Sequence, residues 1–176
     1  MLKNKPPIII NFIPNSLGCV NFFASVRKSD GKSHGDVEFK LDSGSHFTTL
    51  NYKELRRLGY NDDFLSKCPE HKSEKPTRLA DGSIVRLRYI RNQSIKFDDR
   101  EIQGLRIFFM TGVDIDFNLF GSDILKYFYR EIDYDAGEFR LMERVARPAL
   151  SEGERELHIY SLTESDEPFT PSNIFV

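Results

Sequence analysis

The chain has 176 residues, room for one ordinary domain with extensions, since domains cluster near roughly 100 to 150 residues. Hydrophobic residues make up 39% and charged residues 30%, with 15 Phe, 7 Tyr and no Trp, which excludes a charge-dominated disordered chain and allows a compact core. A formal charge of -2 offers phosphates no broad positive field, so nucleic acid is not expected as a partner.

The chain opens with Lys3 and Lys5 and the short apolar run Ile8-Ile9-Ile10, which Asn11 and Pro14 stop before it reaches the length of a signal-peptide core. No stretch is apolar for long enough to span a membrane as a helix. Cys19 and Cys68 lie far apart and form no metal-type pair, and a secreted disulfide framework would carry more cysteines, so a reducing, cytoplasmic setting is expected. Residues 1–19 read as an N-terminal extension, 20–142 as the domain, and 143–176 as a polar C-terminal extension.

Val20 to Val26 is apolar and β-prone, and Val37, Phe39 and Leu41 alternate on one face of the next segment. The turn formers from Ser29 to Asp36 between them predict an antiparallel hairpin that ends at Asp42. Asn51 is placed to cap a short helix from Tyr52 to Leu58, ended by Gly59. Residues 61–76 are polar, with Pro69 and Pro76, and read as a loop or irregular helix.

Arg78-Leu79, the turn Ala80-Asp81-Gly82, and Ile84, Leu87 and Tyr89 make a second hairpin, in which Arg86, Arg88 and Arg91 read as a solvated strand face. A third joins Ser94–Phe97 to Ile102–Met110 across Asp98–Glu101. Asp114 and Asp116 read as a solvated loop. Leu119-Phe120-Gly121 then precedes a helical pattern from Asp123 to Phe128, and a last hairpin joins Tyr129–Tyr134 to Glu138–Met142. Short strands at regular spacing with one or two short helices indicate a mainly β barrel or sandwich. Residues 143–176 have little period, and mobility, packing on the domain edge and cover of a site all stay open.

The chemistry centres on Asp42. A strand fixes the backbone before it, Gly44 allows a sharp departure after it, and Ser43 supplies a hydroxyl to brace the loop, so the carboxylate is presented from a rigid base. One carboxylate cannot easily both activate water and protonate a leaving nitrogen. Two held about 3 Å apart can, because their mutual repulsion makes the pair keep one proton. Asp-Ser-Gly alone is a common turn; the preceding strand and the downstream segments in order give it weight.

With Phe39-Lys40-Leu41-Asp42-Ser43-Gly44-Ser45, the Ala80-Asp81-Gly82 hairpin, and the run from Asn118 to Phe128, the chain resembles the retropepsin-like aspartic peptidases, single-domain homodimeric relatives of pepsin. The resemblance covers about Val20 to Leu141. It implies a closed acid-protease-like barrel of hairpins, catalysis by Asp42, and a loop shaped by Ser43, Gly44 and Ser45, with the Ser43 hydroxyl contacting the partner's loop. It also implies a flap formed by Ala80, Asp81 and Gly82, with Ile84 facing substrate, and a second loop at Leu119, Phe120 and Gly121. The expected partners are a second copy and an extended peptide held by main-chain pairing. Only one Asp-Ser-Gly is present, so the second carboxylate comes from another subunit. Phe108, Phe109 and Ile84 are candidates for pocket walls.

Three features depart from the family pattern: Ser45-His46 in place of small or apolar residues, Ser122 where viral members often carry arginine, and a single glycine in the flap turn. The rival reading is an inactive retropepsin-like dimerisation or peptide-binding module. His34, His46, His71 and His158 show no metal-binding spacing, and neither a Gly-x-Ser-x-Gly elbow nor a phosphate-cradling glycine loop is present, so no metal or cofactor is expected.

Overall fold

The computed structural model describes residues 6–14, 16–73, 77–79, 81–98, 100–113 and 115–143, and the backbone of 158–161. The hairpin before Asp42 forms as its alternation predicts: β2 (Asn21–Arg27) and β3 (His34–Leu41) pair antiparallel, with Phe22 opposite Phe39 and Ala24 opposite Val37. Both β3 residues are fully buried, while Glu38 and Lys40 between them are exposed, the period-2 pattern of a strand with one wet face.

Helix α1 (Tyr52–Arg57) starts where Asn51 accepts a 2.8 Å bond from the Glu54 N–H, and it anchors Leu55 in the core. Its end is set by Gly59, whose φ of +90° suits a residue without a Cβ. A second helix, α2 (Asp62–Lys67), occupies the stretch read as a loop or irregular helix. Asn61 caps it and Leu65 is its buried anchor.

The second and third predicted hairpins share one strand. β4 (Thr77–Arg78) pairs with the start of β5 (Ile84–Phe97), which runs on for 14 residues and then pairs with β6 (Arg100–Thr111). Register shifts between Ile90 and Ile95, with Asn92 at φ +54°, rotate β5 about its axis. Val85, Leu87 and Tyr89 therefore face one apolar cluster, whereas Ile95 and Phe97, of the same parity, face the main core. Buried Ser94 fixes this bend, taking a 3.1 Å bond from Arg27 Nε and lying 2.9 Å from His34 Nε2.

β7 (Leu119–Phe120) lies parallel to β3, and α3 (Ser122–Leu125) follows it. The helix is shorter than the pattern to Phe128 predicts, because Phe128 begins β8 (Phe128–Asp133) with its ring fully buried. β8 pairs with β9 (Glu138–Glu143), and β1 (Ile8–Asn11) completes a three-stranded sheet in the order β1-β9-β8. Part of the expected N-terminal extension is thus built into the fold: Ile8 and Ile10 alternate inward and are buried. β10 (His158–Ser161) pairs with β6, which places a piece of the C-terminal extension on the edge of the larger sheet.

The larger sheet runs β10-β6-β5-β2-β3-β7, an open path, so the named strands do not close into the expected barrel, and among the described residues the short helices number three rather than one or two. The irregular segment Thr48–Leu50 lies between the open sides. Thr49 exchanges two 2.9 Å backbone bonds with Leu119, and Phe108 exchanges 2.9 Å bonds with Thr48 and Leu50. This segment contributes isolated bridges in place of a full strand.

Phe22 lies at the centre of the core, its ring centroid 5.3 Å from Phe120, 5.9 Å from Phe139 and 6.0 Å from Phe39. It thereby braces β3, β7 and β9 together. Phe22→Ala is expected to cost about 3–5 kcal/mol through lost transfer energy and a cavity that these strands cannot collapse. Chemical denaturation checks this as a fall in midpoint at unchanged slope; a cost under about 1 kcal/mol would remove the ring from this role.

Candidate active site

Two loops meet at the end of β3. The first, Asp42 to Thr49, leaves β3 after Leu41; the second, Asn118 to Asp123, surrounds β7. Parallel pairing of Leu41 with Phe120 sets their register, and the Asp42 N–H continues it with a 3.2 Å bond to the Phe120 carbonyl. Asn118 ties the two from below, donating from Nδ2 to the Glu38 carbonyl at 3.0 Å and accepting from the Asn51 N–H at 2.9 Å.

Asp42 is half-buried, and its Oδ1 accepts from the N–H groups of Gly44 at 2.9 Å and Ser45 at 3.1 Å. The loop thus folds back on its own carboxylate and fixes the rotamer, leaving Oδ2 with no hydrogen bond among the described residues. A Cβ on Gly44 would sit 3.2 Å from Asp42 Oδ1. Close approach to the carboxylate, not a left-handed turn, is therefore what favours glycine here. Ser43 is exposed, and its hydroxyl makes no hydrogen bond among the described residues. The bracing expected of it falls to other serines: Ser45 Oγ donates to the Phe47 carbonyl at 2.9 Å, and Ser122 Oγ to the Ser45 carbonyl at 2.7 Å.

The interlock continues inward. Thr48 Oγ1 accepts from the Gly121 N–H at 3.0 Å and donates to Asp123 Oδ1 at 2.7 Å, which also accepts from the Thr48 N–H at 2.9 Å and the Ile124 N–H at 3.0 Å. Gly121 has no room for a side chain: a Cβ would lie 2.4 Å from the Phe47 carbonyl carbon and 2.5 Å from its oxygen. Thr48, Asn118 and Asp123 support the two loops and were not among the predicted site residues, although Asp123, just before the apolar pair Ile124-Leu125, is the acidic residue of a helix first turn.

The flap-like turn closes with 2.9 Å bonds from the Leu79 N–H to the Ser83 carbonyl and from the Gly82 N–H to the Leu79 carbonyl, and Gly82 takes φ +84°. Asp81 Oδ1 accepts from the Ser83 hydroxyl at 2.6 Å and N–H at 2.9 Å, which holds its carboxyl below the ordinary range. Ala80 lies outside the described residues. Below the turn, Val85, Leu87, Tyr89, Phe108 and Met110 form an apolar cluster that Leu79 joins from the turn and Phe47 from the loop after Asp42. The Phe47 ring lies 4.3 Å from Phe108 and 4.8 Å from His71. The cluster therefore spans from flap to loop. Ile84 is 60% exposed at the turn. Phe109 does not belong to this wall: next to Phe108 in a strand, it points to the opposite face and packs on Tyr52 in the main core. His46 is exposed.

Among the described residues no group of three His, Cys, Asp or Glu could hold a metal ion, and no helix is long and apolar enough to cross a membrane. The chain superposes on the crystal structure of a retropepsin-like aspartic protease from Rickettsia conorii with a TM-score of 0.51 and 22% identity, covering 80% of this chain and 94% of that one. The fold is retropepsin-like. No protein-family model and no curated protein matches the chain. Within the retropepsin-like fold the interlocked loops carry Asp42 at their exposed rim and Asp123 at their buried base.

Burial raises the Asp123 carboxyl above its ordinary 3.8, outweighing the bonds it receives from Thr48 and Ile124. A carboxyl raised on folding contributes most below that ordinary value, and the contribution is lost as pH rises through the raised one. Asp123→Asn keeps an Oδ1 acceptor and cannot ionise. Relative to the unmodified chain, its melting temperature should improve on going from about pH 3 to about pH 7. Thermal unfolding of both forms across that range checks this; a difference that does not vary with pH would contradict it.

Proposed function

We propose that the protein is an aspartic endopeptidase in which Asp42 and Asp42 of the partner subunit share one proton and activate a water between them. The observation that carries this reading is the Asp42 carboxylate itself: at the rim of a retropepsin-like fold, clamped through Oδ1 by two N–H groups and with Oδ2 left without a partner among the described residues.

In this reading the ionised member takes a proton from the water as it attacks the scissile carbonyl, and the protonated member hydrogen-bonds the carbonyl oxygen. The tetrahedral intermediate then collapses as the amide nitrogen is protonated, the carbon–nitrogen bond breaks, and the dyad returns to sharing one proton. The pair titrates as a unit. The exposed Ser43 hydroxyl is available to the partner's loop. The Leu79–Ser83 turn covers an extended peptide over the cluster of Phe47, Tyr89 and Phe108, which supplies an apolar wall for its side chains.

Asp42→Asn keeps the two N–H bonds to Oδ1 and removes the proton exchange, so peptide cleavage should fall by about 10³-fold or more with the fold retained. Cleavage of a peptide library at acidic and neutral pH, with circular dichroism of both forms, tests it. An unchanged rate would take Asp42 out of the mechanism, and no cleavage by the parent at any pH would leave a peptide-binding module.

A monomer lacks half the dyad, so specific activity should fall on dilution, approaching proportionality to concentration well below the dimer dissociation constant. Activity per chain that stays flat through the dissociation measured by sedimentation would contradict a shared site.

A further inference from the structure

The aromatic row that Phe47 begins does not end at Phe108. Phe108 lies 5.5 Å from Tyr89, and two guanidiniums stand on the Tyr89 ring, Arg106 4.7 Å and Arg91 5.6 Å from its centroid. Arg91 Nη2 also donates to the Tyr89 hydroxyl at 3.3 Å. Arg91 follows Tyr89 by two positions in β5, and Arg106 precedes Phe108 by two in β6, so strand alternation carries both onto the face of the apolar cluster. Phe108 and Tyr89 are themselves buried. The row meets solvent at its two ends: half-buried Phe47, with His71 4.8 Å away, and exposed Arg91 beside half-buried Arg106.

The arginine end carries charge that nothing offsets nearby. Arg27, Arg56, Arg57 and Arg140 each lie against a carboxylate, that of Glu101, Asp62, Glu54 and Glu138 respectively. Arg91 and Arg106 have no carboxylate within ion-pair distance among the described residues, and Arg106 Nε is buried there without a hydrogen-bond partner. Glu70, next to His71, lies across from Arg88, and alternation turns both away from the Tyr89 face. Two like charges on one ring repel each other, which the ring's negative face offsets only in part. An anion between them removes that repulsion, and the forked donors of arginine match a carboxylate.

We propose that Arg91 and Arg106 form a subsite for an acidic side chain of the substrate, so that peptides with Asp or Glu close to an apolar residue are preferred. The proposal rests on the peptidase reading above, which lays an extended peptide over this cluster. Side chains two positions apart in such a peptide share a face about 7 Å apart. That spacing sets an apolar group at Phe47 and directs a carboxylate toward the arginines on Tyr89, with the length of a glutamate closing the remaining distance. Cations beside aromatic rings also suit single-stranded nucleic acid, but two guanidiniums at one end of a short row give a phosphate backbone no track to follow.

Fluorescence anisotropy with the full-length Asp42→Asn chain tests this. The probes are labelled peptide pools, randomised except for one Phe with Glu two positions away on each side, and the same pools with Gln in place of Glu. The Glu pool is expected to bind about tenfold tighter at low salt, with the gap narrowing as salt is added. Arg91→Gln and Arg106→Gln should each shrink that gap to about twofold; Arg91 is exposed, so its variant reports even if Arg106→Gln unfolds, which circular dichroism detects. Equal affinity for the two pools, no binding of either, or a preference that survives in both folded variants would overturn the proposal. So would a single-stranded oligonucleotide that binds more tightly than the Glu pool and needs the same arginines. Cleavage by the parent chain is scored separately: equal binding and equal cleavage of both pools removes the subsite alone, whereas a preference in binding with no cleavage of either removes the peptidase reading and leaves the subsite.

Discussion

The site depends on one hydrogen-bonded junction, in which the Thr48 hydroxyl receives the Gly121 N–H and passes its own hydrogen to Asp123. The junction joins residues 75 positions apart in the chain, and no single partner can be removed without leaving another buried group unsatisfied. Gly121 makes the close approach possible, because any Cβ would collide with the Phe47 carbonyl. With the loops so joined, Asp42 inherits the position of the core beneath it: Leu41 is held against Phe120, and the Phe120 ring packs on Phe22, Phe39 and Phe97. The core thus sets where Asp42 stands, and the Gly44 and Ser45 N–H groups at the rim then fix its rotamer.

The two faces of the β5–β6 hairpin divide the main core from the separate apolar cluster below the Leu79–Ser83 turn. Ile90, Ile107 and Phe109 point into the main core, while Leu87, Tyr89, Phe108 and Met110 point toward the Leu79–Ser83 turn and the loop after Asp42. Strand alternation enforces this division one residue at a time. A change at Phe109 disturbs the fold, through its contact with Tyr52, whereas a change at Phe108 acts on the surface next to Phe47 and His71. Arg106 lies 4.7 Å from the centre of the Tyr89 ring, a cation–π contact beside the cluster.

Much of this was legible because the decisive signals are local. Alternation in β3, turn formers after it and Asp-Ser-Gly at its end locate Asp42 with its loop, and Leu119-Phe120-Gly121 lies where the second loop forms. What was not legible depends on distant partners or on the parity of a single residue. Ile8 and Ile10 are a convincing strand only once β9 is beside them, so residues 1–19 read as an extension. Phe108 and Phe109 look alike as neighbours, yet strand geometry allows only one of them into the wall. The Asn61 cap with Asp62 and Asp63 in the first turn and Lys67 in the last was a sufficient signal for α2, masked by the polarity of the stretch. Barrel closure was lost to Thr48–Leu50, which bonds on both sides without forming a regular strand.

The same junction bears on how many subunits the chemistry needs. Within the interlocked segments 42–49 and 118–123 there are two acids, and they are not equivalent. Asp123 has one oxygen bonded to Thr48 and Ile124, is turned into the base of the loops, and is held toward its neutral form by burial. It cannot reach a substrate without breaking the junction that positions Asp42. A dyad assembled inside one chain from these two residues would therefore destroy its own support. In the proposed mechanism a second rim carboxylate with the freedom of Asp42 comes from a loop of the same construction, and the chain contains only one Asp-Ser-Gly. On that proposal two-fold symmetry provides such a loop with no further design, since a copy brings an identical clamp and an Oδ2 with no hydrogen bond among the described residues.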